Sequence, residues 1–163
     1  MDRRQLVLVV LVVAGVAAAL WLRAWLSPGQ AVRRQLAEAV AAVESERILG
    51  VMPKISRSYS DRWGNTYESV GGHVQGLMDA FDGLDVDLDV TGAEVGEGEV
   101  RLGVRFVVTG SVDGEREAVL GTSAEPCRAT LLWRKEQAGW RLAETEELEI
   151  PQFRDELQRR REP

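Results

Sequence analysis

Four side chains in this sequence are of types that could do chemistry together in a small pocket. His73 is the only histidine of the chain, and it lies at the edge of the apolar face of a predicted helix. A general acid or base needs a partner within hydrogen-bonding distance, and Tyr59, Asp61 and Glu146 are the candidate partners. The competing interpretation is a histidine that is partly exposed or held by structural hydrogen bonds.

Glu146 also belongs to a pair of carboxylates on one predicted strand. If strict alternation holds, Glu144 and Glu146 share a face with Leu142 and Leu148. Burial would then raise the pKa of these carboxyls, which is typical of functional carboxylates. A β-bulge at Glu146-Glu147 would instead turn both side chains outward.

The segment Tyr59-x-Asp61-x-x-Gly64 has a second, structural interpretation. A short acidic side chain followed by glycine is typical of a turn in which the carboxylate accepts local backbone N–H hydrogen bonds. The sequence therefore predicts that Tyr59 and Asp61 organise a turn, with a role at a pocket as the alternative.

The sequence predicts no metal site and no cofactor. Asp85-x-Asp87-x-Asp89 resembles the start of a calcium loop, but Val90 and Gly96 occupy the positions where such a loop needs Gly and Glu. The alternation with Val and Leu favours a solvated strand face instead.

Two further signals also lack the context that their chemistry requires. Gly96-x-Gly98 joins two predicted strands and opens no helix, so it is not a phosphate-binding loop. Cys127 is the only cysteine, which excludes an internal disulfide and a cysteine-based zinc site.

The charge balance argues against nucleic-acid binding. The formal net charge is −6; residues 1–27 hold three arginines against Asp2, so residues 28–163 carry −8. Such a surface repels phosphate backbones, which supply most of the affinity of nucleic-acid-binding proteins.

The N-terminal segment predicts a membrane anchor in residues 1–27. Residues 6–26 are interrupted only by Arg23 and would span roughly 30 Å as a helix, the thickness of a hydrocarbon core. Trp21 and Trp25 would lie at the interface. The alternative is a cleavable signal peptide with a small-residue site at Ala17–Ala19.

The orientation of that anchor follows from the flanking arginines. Arg3 and Arg4 favour a cytoplasmic N-terminus, whereas Arg23, Arg33 and Arg34 oppose it. A short basic tail before a first hydrophobic segment predicts a single-pass protein whose domain lies outside the cytoplasm.

Two helices are predicted before the sheet. Ser27-Pro28 is an N-cap followed by proline, and apolar residues then recur at helical spacing to about Leu49. A capping-box-like start with Asn65 and Glu68 opens a second helix, which runs to about Asp82.

From Leu84 the apolar period becomes two, which predicts strands. The predicted strands run along 84–90, 100–108 and 118–120, followed by a closing hairpin of 128–136 and 140–150. A short terminal helix follows in 151–163. Helices followed by antiparallel strands indicate an α+β domain over residues 28–150.

Several strings, in order, resemble the nuclear transport factor 2-like superfamily, which includes ketosteroid-isomerase-like and polyketide-cyclase-like proteins. They are Ile55-Ser56 with Tyr59, Asp61 and Gly64, the acidic strand 85–90, and the hairpin from Leu132-Trp133 to Trp140-Arg141-Leu142. The resemblance implies two helices packed on a strongly curved antiparallel sheet, often around a pocket. Catalytic relatives place Asp, Tyr or His in that cone.

The resulting functional expectation is a membrane-anchored, non-catalytic binding or scaffold module of a bacterial-type cell envelope. Its partners would be the membrane, through residues 6–26, and a protein or a second copy of the chain. The alternative is an apolar-ligand binder or an isomerase- or hydrolase-like enzyme, with His73 and Glu146 as its polar groups.

Overall fold

The computed structural model describes residues 13–16 and 27–151. Helices α1, α2 and α3 span Pro28–Glu44, Ile48–Val51 and Tyr67–Ala80, and a 3-10 turn covers Met52–Lys54. Strands β1 to β5 span Asp82–Val95, Glu99–Val112, Glu115–Leu120, Cys127–Glu136 and Gly139–Glu149. The predicted α+β order is confirmed.

Most of the predicted anchor, residues 6–26, lies outside the described residues. The part of it that the structure describes, residues 13–16, is helical. No helix within the described ranges has both the length and the apolar character to cross a membrane. The predicted helix in the C-terminal tail also lies outside those ranges beyond Pro151.

Helix α1 begins as predicted but ends earlier. The Ser27 hydroxyl accepts a hydrogen bond from the Gln30 backbone N–H, and Pro28 is the first helical residue. The prediction that this helix reaches Leu49 is wrong, because α1 ends at Glu44 and the chain turns through Glu46 at a φ of 54°. The separate short helix α2 then carries Leu49.

Helix α3 has a capping box one residue later than predicted. Thr66, not Asn65, is the N-cap, and its hydroxyl accepts from the Ser69 backbone N–H. Ser69 returns the interaction by accepting from the Thr66 N–H at 2.8 Å. The hydroxyl of Ser69 therefore takes the role that the sequence assigned to Glu68.

The five strands form one antiparallel sheet. Its order is β1-β2-β4-β5, and β3 pairs with the second half of the long strand β2. The predicted hairpin is confirmed: Trp133 lies opposite Leu142, and the chain turns between Glu136 and Gly139.

The sheet has an inner face, defined by the buried β2 residues Val100, Leu102 and Val104, and an outer face on the other side. Helix α1 packs on the inner face through Val32 and Leu36. A second apolar cluster joins α2, α3 and the start of β1 around Met78. The partly buried side chains of Phe106 and Leu142 contact both clusters.

Strand β5 has an extra residue at the position that the sequence left open. Thr130 pairs with Glu147 and Leu131 pairs with Thr145, which leaves Glu146 without a partner across the ladder. This is the predicted alternative of a β-bulge, and such bulges bend a strand and change where side chains point. A second extra residue, Ala143, follows from the next register shift.

Candidate functional site

The inner face, where a pocket was expected, is packed with buried side chains of the domain itself. Val32 and Val100 are fully buried, and Trp133 is 1% exposed. Within the described residues, the Trp133 indole Nε1 is the buried side-chain donor that lacks a hydrogen-bond partner. A buried unsatisfied donor is rare and costs free energy, so this N–H marks the one polar irregularity of the inner core.

The candidates Tyr59 and Asp61 do come together, at the edge strand β5. The Tyr59 hydroxyl lies 3.1 Å from Asp61 Oδ2 and 3.0 Å from Thr145 Oγ1. Since a carboxylate only accepts, Tyr59 donates to Asp61 and accepts from the Thr145 hydroxyl. The contact therefore fastens the turn to the sheet.

The predicted turn around Asp61 is confirmed by its backbone contacts. Asp61 Oδ1 accepts from the backbone N–H groups of Trp63 and Asn65, each at 2.9 Å. Asp61 Oδ2 accepts from Asn65 Nδ2 at 2.8 Å. The carboxylate thus organises the turn with several donors at once.

These contacts also set the protonation of the cluster. Burial raises the pKa of Tyr59 to about 12, and the neighbouring Asp61 charge acts in the same direction. Burial alone would raise the pKa of Asp61, but hydrogen bonds from Asn65, Tyr59 and Trp63 outweigh it and lower the pKa. A carboxylate so fully engaged is a poor proton acceptor for a substrate.

His73 and Glu146 do not come together. Glu146 accepts from Arg101 Nε at 2.9 Å, and Arg101 lies between the buried Val100 and Leu102, so the pair is on the outer face. This hydrogen bond raises the pKa of Arg101. His73 is exposed on α3, which packs on the other side of the sheet.

A polar group that the sequence did not suggest lies beside the Tyr59 turn. Ser56 is almost completely buried, and its hydroxyl donates to Glu136 Oε1 at 2.6 Å. Glu136 Oε2 is 3.5 Å from Arg141 Nε. No local pattern could have identified this group, because Ser56 and Glu136 are 80 residues apart.

Among the described large apolar residues, Leu49 is the most exposed. Its side chain is 85% exposed at the tip of α2, between two surface grooves. We call this area the Leu49 surface. Both grooves combine apolar side chains with charges of both signs. One is lined by Glu38, Ala41, Ala42, Glu46, Arg47, Ile48, Gly50, Pro53 and Lys54 with Leu49, and the other by Met52, Pro53, Ile55, Arg57, Tyr67, Glu136, Gln137, Ala138 and Arg141 with Leu49.

The remaining reactive types lie apart from these groups. Within the described ranges, no cluster of three or more His, Cys, Asp or Glu side chains could hold a metal ion. Cys127 is buried, and burial raises the pKa of its thiol, which disfavours the reactive thiolate. Asp85, Asp87 and Asp89 are exposed on β1, as predicted for a solvated face.

No protein-family model matches the sequence, and no curated protein matches it. Solved structures do match. A nuclear transport factor 2-like protein with a cystatin-like fold from Novosphingobium aromaticivorans has a TM-score of 0.61 and 17% identity, over 85% of this chain and 89% of that one. A proposed scytalone dehydratase from the same organism has a TM-score of 0.62 and 13% identity, over 74% and 82%.

A protein of unknown function from Mycobacterium tuberculosis has a TM-score of 0.60 and 10% identity, over 73% of each chain. At such identities the likeness shows the fold alone. The described domain therefore has the nuclear transport factor 2-like fold, which hosts unrelated functions.

Proposed function

We propose that this domain is a non-catalytic binding or scaffold module, held at a membrane by residues 6–26, that works through its surface. One observation carries the proposal: the inner face of the sheet is occupied by the side chains of the domain itself. Val32, Leu36 and Trp133 fill the space between α1 and the strands. A module of this kind acts by contacting a protein partner or another copy of itself.

The placement of the polar candidates supports the same proposal. Tyr59 and Asp61 are engaged with each other and with the turn, and Glu146 is engaged with Arg101. His73 lies in solvent. Acid–base catalysis needs two such groups aimed at one substrate position. Here Tyr59 and Asp61 bind each other within a turn, while Glu146 and His73 lie in two other surroundings.

A second candidate function is favoured by one specific feature. The unpartnered Trp133 N–H could donate to a polar atom of an apolar ligand held on the inner face, and one of the similar structures is a proposed dehydratase. In this alternative the domain would be a ligand binder or enzyme of the cone, with Trp133 as the donor on the inner face.

Crosslinking of the full chain in intact membranes tests the binding module. We expect a specific product larger than the monomer, and we expect the chain to stay in the membrane fraction after carbonate extraction. Recovery of the monomer alone would contradict the binding proposal, and release by carbonate would contradict the anchor.

Thermal melting of the His73→Ala, Glu146→Ala double variant separates the two candidates. If an apolar ligand shifts the melting temperature of the wild type, the ligand-binding function replaces ours. Loss of that shift in this variant would assign polar contacts to His73 or Glu146, and a retained shift would leave Trp133 as the polar contact. If no ligand in the screen shifts the wild type, and the variant melts at or above it, the second candidate fails.

A further inference from the structure

The Leu49 surface combines an exposed apolar side chain with two arginines that form no ion pair with another described residue. Helix α2 has only four residues, and its turn presents Leu49 with 85% of its surface in solvent. Exposed apolar surface marks a candidate contact site when several neighbouring side chains contribute to it. The grooves on either side extend this apolar area over Ile48, Pro53 and Met52.

The charges around Leu49 differ in how they are satisfied. Lys54 is paired with Glu38, and Arg141 lies within reach of Glu136. Arg47 lines one groove and Arg57 the other, and neither has an ion pair with another described residue. Arg57 lies over the Tyr67 ring, with its guanidinium carbon 4.2 Å from the ring centroid.

These two arginines stand out because residues 28–163 carry a net charge of −8. Glu46 lines the same groove as Arg47, but its carboxylate already accepts a hydrogen bond from the Gly83 backbone N–H. Two guanidinium groups that have no ion pair among the described residues, one on either side of an apolar side chain, are complementary to carboxylates that flank an apolar position. Arginine is also enriched in interface hot spots, together with aromatic side chains such as Tyr67.

We propose that the Leu49 surface binds an acidic, amphipathic segment of a partner protein, which encloses Leu49 and pairs its carboxylates with Arg47 and Arg57. The inference rests on the proposed binding function and assigns it a surface and a partner chemistry. A helical segment with apolar residues at i, i+3 and i+4 and acidic residues beside them has the required pattern.

The position of the surface disfavours lipid as the occupant. The proposed anchor precedes the N-terminus of α1, whereas Leu49 follows its C-terminus. The 17 residues of α1 span about 25 Å between those two ends. A protein segment is therefore the occupant to test first.

The test uses the full chain in nanodiscs of neutral lipid and a displayed library of random 16-residue peptides as the probe. Selection on the wild type, with counter-selection on Leu49→Asp, should enrich acidic peptides with apolar residues at helical spacing. A synthetic selected peptide should lose at least about tenfold in affinity on Leu49→Asp and about three- to tenfold on Arg47→Glu or Arg57→Glu. Fluorescence anisotropy measures each affinity.

Val95→Asp is the matched control. Val95 is also an exposed apolar residue, but it lies beside Gly29 at the other end of α1, so its replacement should leave the affinity unchanged. Circular dichroism of each variant checks that the fold is intact, as expected for substitution of an exposed side chain. Enrichment of basic peptides would overturn the inference. It would also be overturned if no selected peptide bound the wild type more tightly than Leu49→Asp.

Two further outcomes would also overturn it by naming another occupant. Sedimentation that finds a dimer which Leu49→Asp dissolves would assign the surface to a second copy of the chain. A polarity-sensitive dye attached to Leu49→Cys whose emission shifts to the blue only in anionic nanodiscs would assign the surface to lipid.

Crosslinking in membranes separates this inference from the proposed binding function. If membrane crosslinks persist in Leu49→Asp, the binding function stands but this surface is wrong. If the wild type gives no crosslinks, the binding function itself fails.

Discussion

The two faces of the same sheet are built on different physics. On the inner face, β2 presents Val100, Leu102 and Val104, which pack against α1 without contact with solvent. On the outer face, the alternate residues of the same strand include Arg101 and Arg105, which pair with carboxylates while partly exposed to water. Buried apolar area therefore stabilises this domain, whereas its outer ion pairs contribute little, because exposed ion pairs are screened by water and salt.

Truncation of the inner core should have the largest effect. Trp133→Ala removes the largest buried side chain and leaves a cavity, so we expect a loss of about 3–5 kcal/mol in the free energy of unfolding. Arg105→Ala on the outer face of the neighbouring strand is the control and should cost less than about 1 kcal/mol. Urea titration followed by circular dichroism measures both. Equal losses would contradict the contrast between the faces.

Overfilling the inner face should be the next largest effect. A Cβ at Gly110 would lie 2.9 Å from Phe81 Cβ and 3.2 Å from Leu84 Cδ2. We expect Gly110→Ala to cost about 1–3 kcal/mol, because these side chains must shift in a packed region.

Gly72→Ala is the matched control for that substitution. Gly72 lies within α3, and its added Cβ would meet nothing within 4 Å. Its replacement should stabilise the domain by up to about 1 kcal/mol through helix propensity. Destabilisation by Gly72→Ala, or none by Gly110→Ala, would break the argument from packing.

The next effect concerns Tyr59, which lies at the edge strand β5. Tyr59→Phe removes one hydrogen bond to Asp61 and should lower the free energy of unfolding by about 0.5–1.5 kcal/mol near neutral pH. The wild type should also lose stability as the pH rises from 10 towards 12. The folded pKa of Tyr59, about 12, is above its ordinary value of 10.0, so this phenol ionises first in the unfolded chain.

The phenylalanine variant lacks that phenol and isolates its contribution. The difference in unfolding free energy between wild type and Tyr59→Phe should be constant below pH 10 and shrink above it. A difference that stays constant up to pH 12 would show that burial of the phenol does not raise its pKa. Urea titrations at several pH values provide the measurement.

The smallest effect is expected for the outer ion pair. Arg101→Ala or Glu146→Gln should change the unfolding free energy by less than about 1 kcal/mol, since the side chains of Arg101 and Glu146 are 42% and 28% exposed. The effect should decrease further in high salt. A loss above 2 kcal/mol that salt does not reduce would show that this face contributes to stability as the inner face does.

Sequence reasoning succeeded where the signal was local. The N-cap at Ser27, the turn organised by Asp61 and the alternating strands were all predicted, because each depends on residues within a few positions of one another. It failed at the end of α1, which was expected near Leu49. Helical periodicity continues past Glu44, and nothing local indicated that Glu46 takes a positive φ.

The candidate site was predictable only in part. Tyr59 and Asp61 lie two residues apart, so their contact was within reach of the sequence. The separation of His73 from Glu146 was not, because it depends on a bulge in β5 whose position is set by the pairing of Thr130 and Leu131 with that strand.

Local sequence signals were enough to predict the element types, the acidic balance of residues 28–163 and the lack of the residue combinations that most metal and nucleophile chemistry needs. Long-range packing set the face that Glu146 occupies, the contact of Ser56 with Glu136 and the exposure of Leu49. The two kinds of feature depend on interactions over different distances along the chain. Propensity, capping and periodicity act over a few residues, whereas strand register and side-chain burial follow from contacts between residues tens of positions apart.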